Sequence, residues 1–157
     1  MAQSIWTMRW EDRTLILLDQ TKLPTEEVYS VCRDHRMVAD AIRRLVVRGA
    51  PAIGVAAAFG VVSGAQEVVR QKSDLTTGLE KVFTELAGTR PTAVNLFWAL
   101  ERMRKVVTAQ REGDPDGLVA ALEAEALRLY REDIDTNDRL GRHGAALLAD
   151  GTTVLTI

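Results

Sequence analysis

Apolar positions change their spacing once along the chain, from a strand-like to a helical pattern. Residues 5–10 and 14–18 carry β-branched and aromatic side chains in short runs. Glu11-Asp12-Arg13 separates them, which predicts a β-hairpin. Residues 19–24 read as a turn or loop, and residues 28–32 as a third short strand. From Asp34, placed as a helix N-cap, Val38, Ala41, Ile42, Leu45 and Val46 recur at helical spacing, with Arg43 and Arg44 on the other side. A second helix is predicted from Pro51 to about Gln71, apolar nearly all round in its first half. Gly54, Gly60 and Gly64 lie inside it. Glycine costs about 1 kcal/mol relative to Ala in a helix, so these glycines predict close packing of neighbours. A third helix spans about residues 74–87, with Leu75, Leu79, Val82, Phe83 and Leu86 on one face. A fourth is predicted to start at Pro91, near N1 and just after Arg90, and to run to about Gln110. Gly113-Asp114-Pro115-Asp116-Gly117 reads as a break. A long helix follows over about residues 118–149, striped by Val119, Leu122, Ala126, Leu129, Ile134, Leu140, Gly144 and Leu147. Asn137 interrupts that stripe, and Gly141 and Gly144 suggest a kink or a close contact. Residues 152–157 are β-branched after an Asp-Gly turn, the pattern that opens an α/β unit.

The expected fold class is therefore α-rich α+β. A small N-terminal antiparallel sheet is followed by a helical bundle, then a long helix leading into a truncated Rossmann-like α/β domain. The expected division is residues 1–115, a connecting helix over 116–150, and a first strand of a further domain over 151–157.

Composition narrows the function classes. A hydrophobic content of 46% over 157 residues fills a core, and a net charge of -2 gives no support for nucleic-acid binding. The uncharged stretch 49–66 is borderline for a membrane span. Its Ala and Gly content and its opening Pro favour a buried helix. The first ten residues lack the basic start and apolar run of a signal peptide. One cysteine, Cys32, excludes an internal disulfide and fits a reducing, cytoplasmic location. It continues an apolar strand pattern and reads as core rather than as a nucleophile.

The most informative segment is Val47-Arg48-Gly49-Ala50-Pro51-Ala52-Ile53-Gly54. Proline is favoured in a first helical turn, where its missing N–H has no partner to lose. The neighbouring N–H groups stay free at the positive end of the helix dipole, Gly49 and Ala50 offer no bulk, and Arg48 adds a fork of donors. This is a candidate phosphate site. Thr89-Arg90-Pro91-Thr92 repeats the design. If the two starts converge, two guanidinium groups and two sets of N–H groups surround one anion. Catalytic candidates are few. His35 follows an N-cap and reads as exposed, and His143 lies late in the acidic long helix. Asp12, Asp19 and Asp34 sit in turns, where Asp bonds locally. No Ser/His/Asp set, CxxC, HExxH or Walker loop is present.

These segments resemble the methylthioribose-1-phosphate isomerase family of methionine salvage. Residues 47–54 are similar to its signature. Leu17 through Pro24 matches its early loop, Thr89 through Leu96 its second helix start, and Glu132-Asp133-Ile134 with Asn137, Gly141 and Gly144 its long helix. The resemblance covers essentially the whole chain in order. It implies substrate binding by Arg48, Gly49, Ala50 and Arg90. It also implies an aldose-to-ketose conversion of 5-methylthioribose 1-phosphate, by acid-assisted ring opening and hydrogen transfer from C2 to C1. Hydride and enediol routes both stay open. The family's catalytic Cys and Asp are expected beyond Ile157, so no catalytic residue is assigned in this chain. No metal or organic cofactor is implied. The implied partners are a small-molecule sugar phosphate and a second copy in a homodimer, with no nucleic acid and no membrane. Two alternatives share the fold: a 5-deoxyribose-1-phosphate isomerase, and a non-catalytic regulatory subunit of the translation-initiation exchange factor.

Overall fold

The computed structural model describes residues 6–110 and 113–155. Strands β1 (Met8–Glu11), β2 (Thr14–Leu18) and β3 (Tyr29–Cys32) form an antiparallel sheet in the order β1-β2-β3. Among the described residues five helices follow: α1 (His35–Arg43), α2 (Ala50–Arg70), α3 (Leu75–Ala87), α4 (Val94–Ala109) and α5 (Pro115–Ala145). The hairpin expected at Glu11-Asp12-Arg13 forms. Glu11 pairs with Thr14, and Asp12 and Arg13 take φ values of 48° and 59°. Two left-handed residues give a turn whose twist matches the strands it joins.

Helix α2 is the axis of the fold, packed by α1, α3, α4 and α5. It is long and apolar enough to cross a membrane, yet 83% of its most apolar 18-residue stretch is buried inside the protein. Its apolar surface is thus satisfied by neighbouring helices. Its glycines are points of approach. A β-carbon at Gly54 would lie 2.7 Å from the Asn95 carbonyl oxygen, and one at Gly64 would lie 2.6 Å from the Val82 methyls. The sheet closes one side of the bundle. Trp10 stacks on Phe59 of α2 with ring centroids 4.7 Å apart, and the Tyr130 hydroxyl of α5 donates to the Met8 carbonyl at 2.7 Å.

Several boundaries differ from expectation. Helix α1 ends at Arg43, and Leu45 turns left-handed at φ 61°. The Val46 N–H then donates to the Ala41 carbonyl and the Leu45 N–H to that of Ile42. This is a Schellman closure, with leucine where glycine is usual. It sends Val46 and Val47 into the core as loop residues. Helix α4 starts at Val94, not Pro91. Pro91 and Thr92 form a turn closed by the Ala93 N–H on the Arg90 carbonyl at 3.0 Å, with Pro at its favoured second position. Helix α5 starts earlier, at Pro115, because the Asp114 carboxylate accepts the Gly117 N–H at 2.8 Å.

The long helix passes through Gly141 and Gly144 without a break, and a β-carbon at either would meet nothing within 4 Å. The close contact suggested there is not made among the described residues. Residues 152–155 pair with no strand among the described residues. A strand exists only through a neighbour's ladder. Ile5, Thr156 and Ile157, parts of two expected strands, lie outside the described residues.

Candidate functional site

The segment Val46–Arg48 links α1 to α2, and the core holds it. Val46 and Val47 are buried, and the Gln20 N–H donates to the Val46 carbonyl at 3.0 Å. That bond ties the loop after β2 to the start of the site. The Asp19 carboxylate stabilises the same loop from below. It accepts the Thr21 hydroxyl at 2.6 Å and the Thr21 N–H at 3.0 Å. The Thr21 hydroxyl bond outweighs burial and holds this carboxyl below its ordinary range. Asp19 thus bonds locally, as its turn position suggested.

Gly49 is the N-cap residue of α2, at φ 92° and ψ 128°. Side chains rarely adopt that conformation, so glycine answers a backbone need here. It also leaves the helix start without a side-chain cap. Ala50 and Pro51 open the helix, and the first capped bond is Ile53 N–H to the Gly49 carbonyl at 3.0 Å. The N–H groups of Ala50 and Ala52 therefore face outward at the positive helix end. Arg48 is exposed, and its Nε donates to the Leu45 carbonyl at 3.3 Å. Arg90 is half-buried and precedes the turn into α4. Ala93 caps α4 with no side-chain bond either. Among the described residues neither arginine is in an ion pair.

The starts of α2 and α4 lie side by side, as the contact of Gly54 with the Asn95 carbonyl requires. The arrangement offers two uncapped helix starts with a free cation beside each. Its chemistry is that of anion binding.

Other candidates take structural roles. The Asp34 cap forms, with its carboxylate accepting the Met37 N–H at 2.9 Å. Cys32 is buried, and burial, with Asp34 and Asp40 nearby, pushes its thiol up to about 11. A protonated buried thiol is a poor nucleophile. His143 lies exposed in the last turns of α5. His35 corrects an expectation. It is buried, not exposed, with Nδ1 3.3 Å from a Glu67 oxygen and Nε2 3.3 Å from a Glu85 oxygen. Its place in the first turn of α1 aims it at α2 and α3, where two carboxylates receive it. Glu67 stands sixteen residues beyond Pro51, roughly 24 Å along α2, so this cluster is remote from the helix starts.

Three residues beside the helix starts had not been singled out from sequence. Asn95, Trp98 and Asp133 line a cavity of about 230 Å³ where α2, α4 and α5 meet. Asn95 and Asp133 lie within segments quoted above for their resemblance. No spacing rule distinguished them from their neighbours.

Comparison with known proteins agrees with this architecture. Residues 46–157 match the model of the Initiation factor 2 subunit family. A methylthioribose-1-phosphate isomerase from Fervidobacterium nodosum is 54% identical over 159 residues, covering 99% of this chain and 45% of that protein. The chain thus spans less than half the length of such relatives. Among solved structures, a 5-methylthioribose 1-phosphate isomerase from Pyrococcus horikoshii OT3 superposes with a TM-score of 0.85 at 37% identity, over 92% of this chain and 41% of that one. The delta subunit of the translation initiation factor eIF-2B from A. fulgidus superposes with a TM-score of 0.82 at 39% identity, over 94% and 43%. The family match begins at Val46, two residues before Arg48, and takes in both arginine-marked helix starts: this chain belongs to the Initiation factor 2 subunit family.

Proposed function

We propose that this chain is the substrate-holding N-terminal part of a methylthioribose-1-phosphate isomerase. The observation that carries the reading is the pair of uncapped, adjoining helix starts flanked by Arg48 and Arg90, in a chain 54% identical to a protein of that name. Arg48, the Gly49-Ala50 backbone and Arg90 bind the phosphate of the sugar. Holding one end of the substrate fixes the C1–C2 bond relative to the reacting groups, so phosphate binding lowers the entropic part of the barrier. The Cys and Asp that perform the hydrogen transfer belong to polypeptide following Ile157, in a Rossmann-like α/β domain. The complete protein works as a homodimer in the cytoplasm.

The test is kinetic. In the complete protein, Arg48→Ala and Arg90→Ala each lower kcat/KM for 5-methylthioribose 1-phosphate by about 10- to 100-fold. That corresponds to about 1.5–3 kcal/mol for a lost charge-assisted hydrogen bond. Unchanged kcat and KM in both variants would contradict the site. A second reading, a non-catalytic regulatory subunit, draws on the likeness to the eIF-2B delta subunit at a TM-score of 0.82. Turnover by the complete wild-type protein separates the two, because a regulatory subunit produces no ketose.

A further inference from the structure

His35, in the first turn of α1, is buried between two other helices. Its Nδ1 faces a Glu67 oxygen of α2 and its Nε2 faces a Glu85 oxygen of α3, each at 3.3 Å. A neutral imidazole carries a single N–H, so one of its nitrogens would turn a lone pair on a carboxylate. Only the imidazolium carries a proton on both sides. Neither His35 Nδ1 nor the Glu67 Oε2 that faces it makes a hydrogen bond among the described residues. Charge attraction is therefore what joins them. An uncharged ring would leave both atoms buried with nothing to offset their loss of water.

The charges around the ring do not replace it. Arg36 of α1 donates to the other Glu67 oxygen at 2.8 Å, and the Gln71 amide donates to the same atom at 3.0 Å. Arg43 of α1 approaches the other Glu85 oxygen at 3.8 Å. Each carboxylate thus gives one oxygen to an arginine and one to His35. Asp34 is taken up in capping α1, with Arg36 3.5 Å away. Asp74 and Lys81 of α3 line the same cavity, of about 450 Å³. Both arginines are exposed, so water and salt screen their pairs more than the buried ones of His35. Arginine also keeps its charge throughout the range in which proteins are folded. Of these cations, only the imidazole changes charge between about pH 5 and 8.

We infer that His35 is a proton-dependent latch that fastens α1 to α2 and α3 when charged and loosens α1 when the ring loses its proton. The attraction is fully present where the ring is charged, and it is lost as pH rises through the ring's change of charge. The arginine pairs stay in place, so the response is a local loosening of α1 and not its unfolding. Helix α1 runs directly into the closure at Leu45 and Val46 and then into Arg48. A looser α1 therefore also loosens the backbone from which Arg48 projects.

The experiment is amide hydrogen exchange of the complete protein, read by mass spectrometry on peptides from residues 35–48. It is run at about pH 6 and about pH 8, on either side of the ordinary imidazole value of about 6.5. Dividing by the unstructured-peptide rate at each pH leaves the protection that structure provides. Protection of residues 35–48 in wild type is expected to fall by about tenfold or more from the lower pH to the higher, while that of α4 stays level. His35→Gln keeps a donor in place without a titrating ring, and should abolish the fall. Glu85→Gln alters a partly exposed carboxylate outside the core, and should at least halve the fall, which answers the question even if His35→Gln does not fold. Equal protection of residues 35–48 at the two pH values in wild type overturns the latch. So does a fall that persists in His35→Gln, or one that Glu85→Gln leaves at its wild-type size.

Discussion

Two kinds of helix start occur among the described residues. Helices α1, α3 and α5 open on Asp34, Asp74 and Asp114, and each carboxylate accepts the backbone N–H of the third helical residue. Helices α2 and α4 open on Gly49 and Ala93, which have no side-chain acceptor to offer. The capped starts are closed by their own chain, so their donors and positive potential are already used. The uncapped starts adjoin each other, each with an arginine nearby. Capping is worth about 1 kcal/mol per helix. The chain thus forgoes that stability at two adjoining helix starts, the two places where the proposed site needs free donors.

The comparison breaks most visibly if the two uncapped starts are pushed apart. Gly54→Val would place branched carbons against the Asn95 carbonyl, which a β-carbon alone would approach to 2.7 Å. Backbone cannot swing aside as a flexible side chain can. Overpacking of this kind is expected to cost about 3 kcal/mol, read as a lowered midpoint in urea unfolding. A midpoint within error of wild type would mean that the helices are free to separate there, and convergence of the two starts would lose its support.

Much of this was legible in sequence, and the failures have physical causes. Asp34 as a cap, the hairpin at Asp12 and Arg13 and the tight packing of α2 follow from local rules that need only neighbours in the chain. The sequence pattern extends the first helix two or three residues too far, because Leu45 and Val46 keep a helical spacing while Leu45 adopts a left-handed backbone. Pattern alone does not register that change. The sequence does not separate Pro91 as a first helical residue from Pro91 in a turn, because a proline suits both N1 and the second position of a turn. The burial of His35 is invisible to local pattern because its partners, Glu67 and Glu85, lie 32 and 50 residues away. The candidate arginines Arg48 and Arg90 are marked in the sequence by the prolines that follow them. The pocket lined by Asn95, Trp98 and Asp133 is not, because it exists only where three helices cross.

A sharper test converts one kind of start into the other. Ala93 has the extended backbone of an N-cap residue, at φ −83° and ψ 94°. Ala93→Asp should therefore cap α4 and raise stability by about 0.5 kcal/mol, the low end for such a gain because Ala93 is partly packed on the core. In the complete protein the same change should weaken sugar-phosphate binding about tenfold. It occupies an N–H and sets a negative charge where the proposed site would hold the phosphate. Raised stability with reduced kcat/KM is the expected pair of results. Raised stability with unchanged kinetics would remove the α4 start from the anion site.

The capped starts make the complementary prediction, with a smaller effect and none on the site. Burial by itself would raise the Asp34 carboxyl, but the Met37 N–H and the charge of Arg36 bring it below its ordinary value. The folded state therefore prefers the ionised form. The resulting stability is fully present above the unfolded carboxylate value, about 3.9, and is lost as pH falls through the lower folded value. Asp34→Ala should cost about 1 kcal/mol at pH 7, and the gap between variant and wild type should narrow below about pH 4. Thermal unfolding at pH 7 and at pH 3 measures both. Because Asp34 serves α1 alone, its loss should leave kcat/KM in the complete protein unchanged at pH 7. A fall in kcat/KM comparable to that of Ala93→Asp would show that the two kinds of helix start do not act independently.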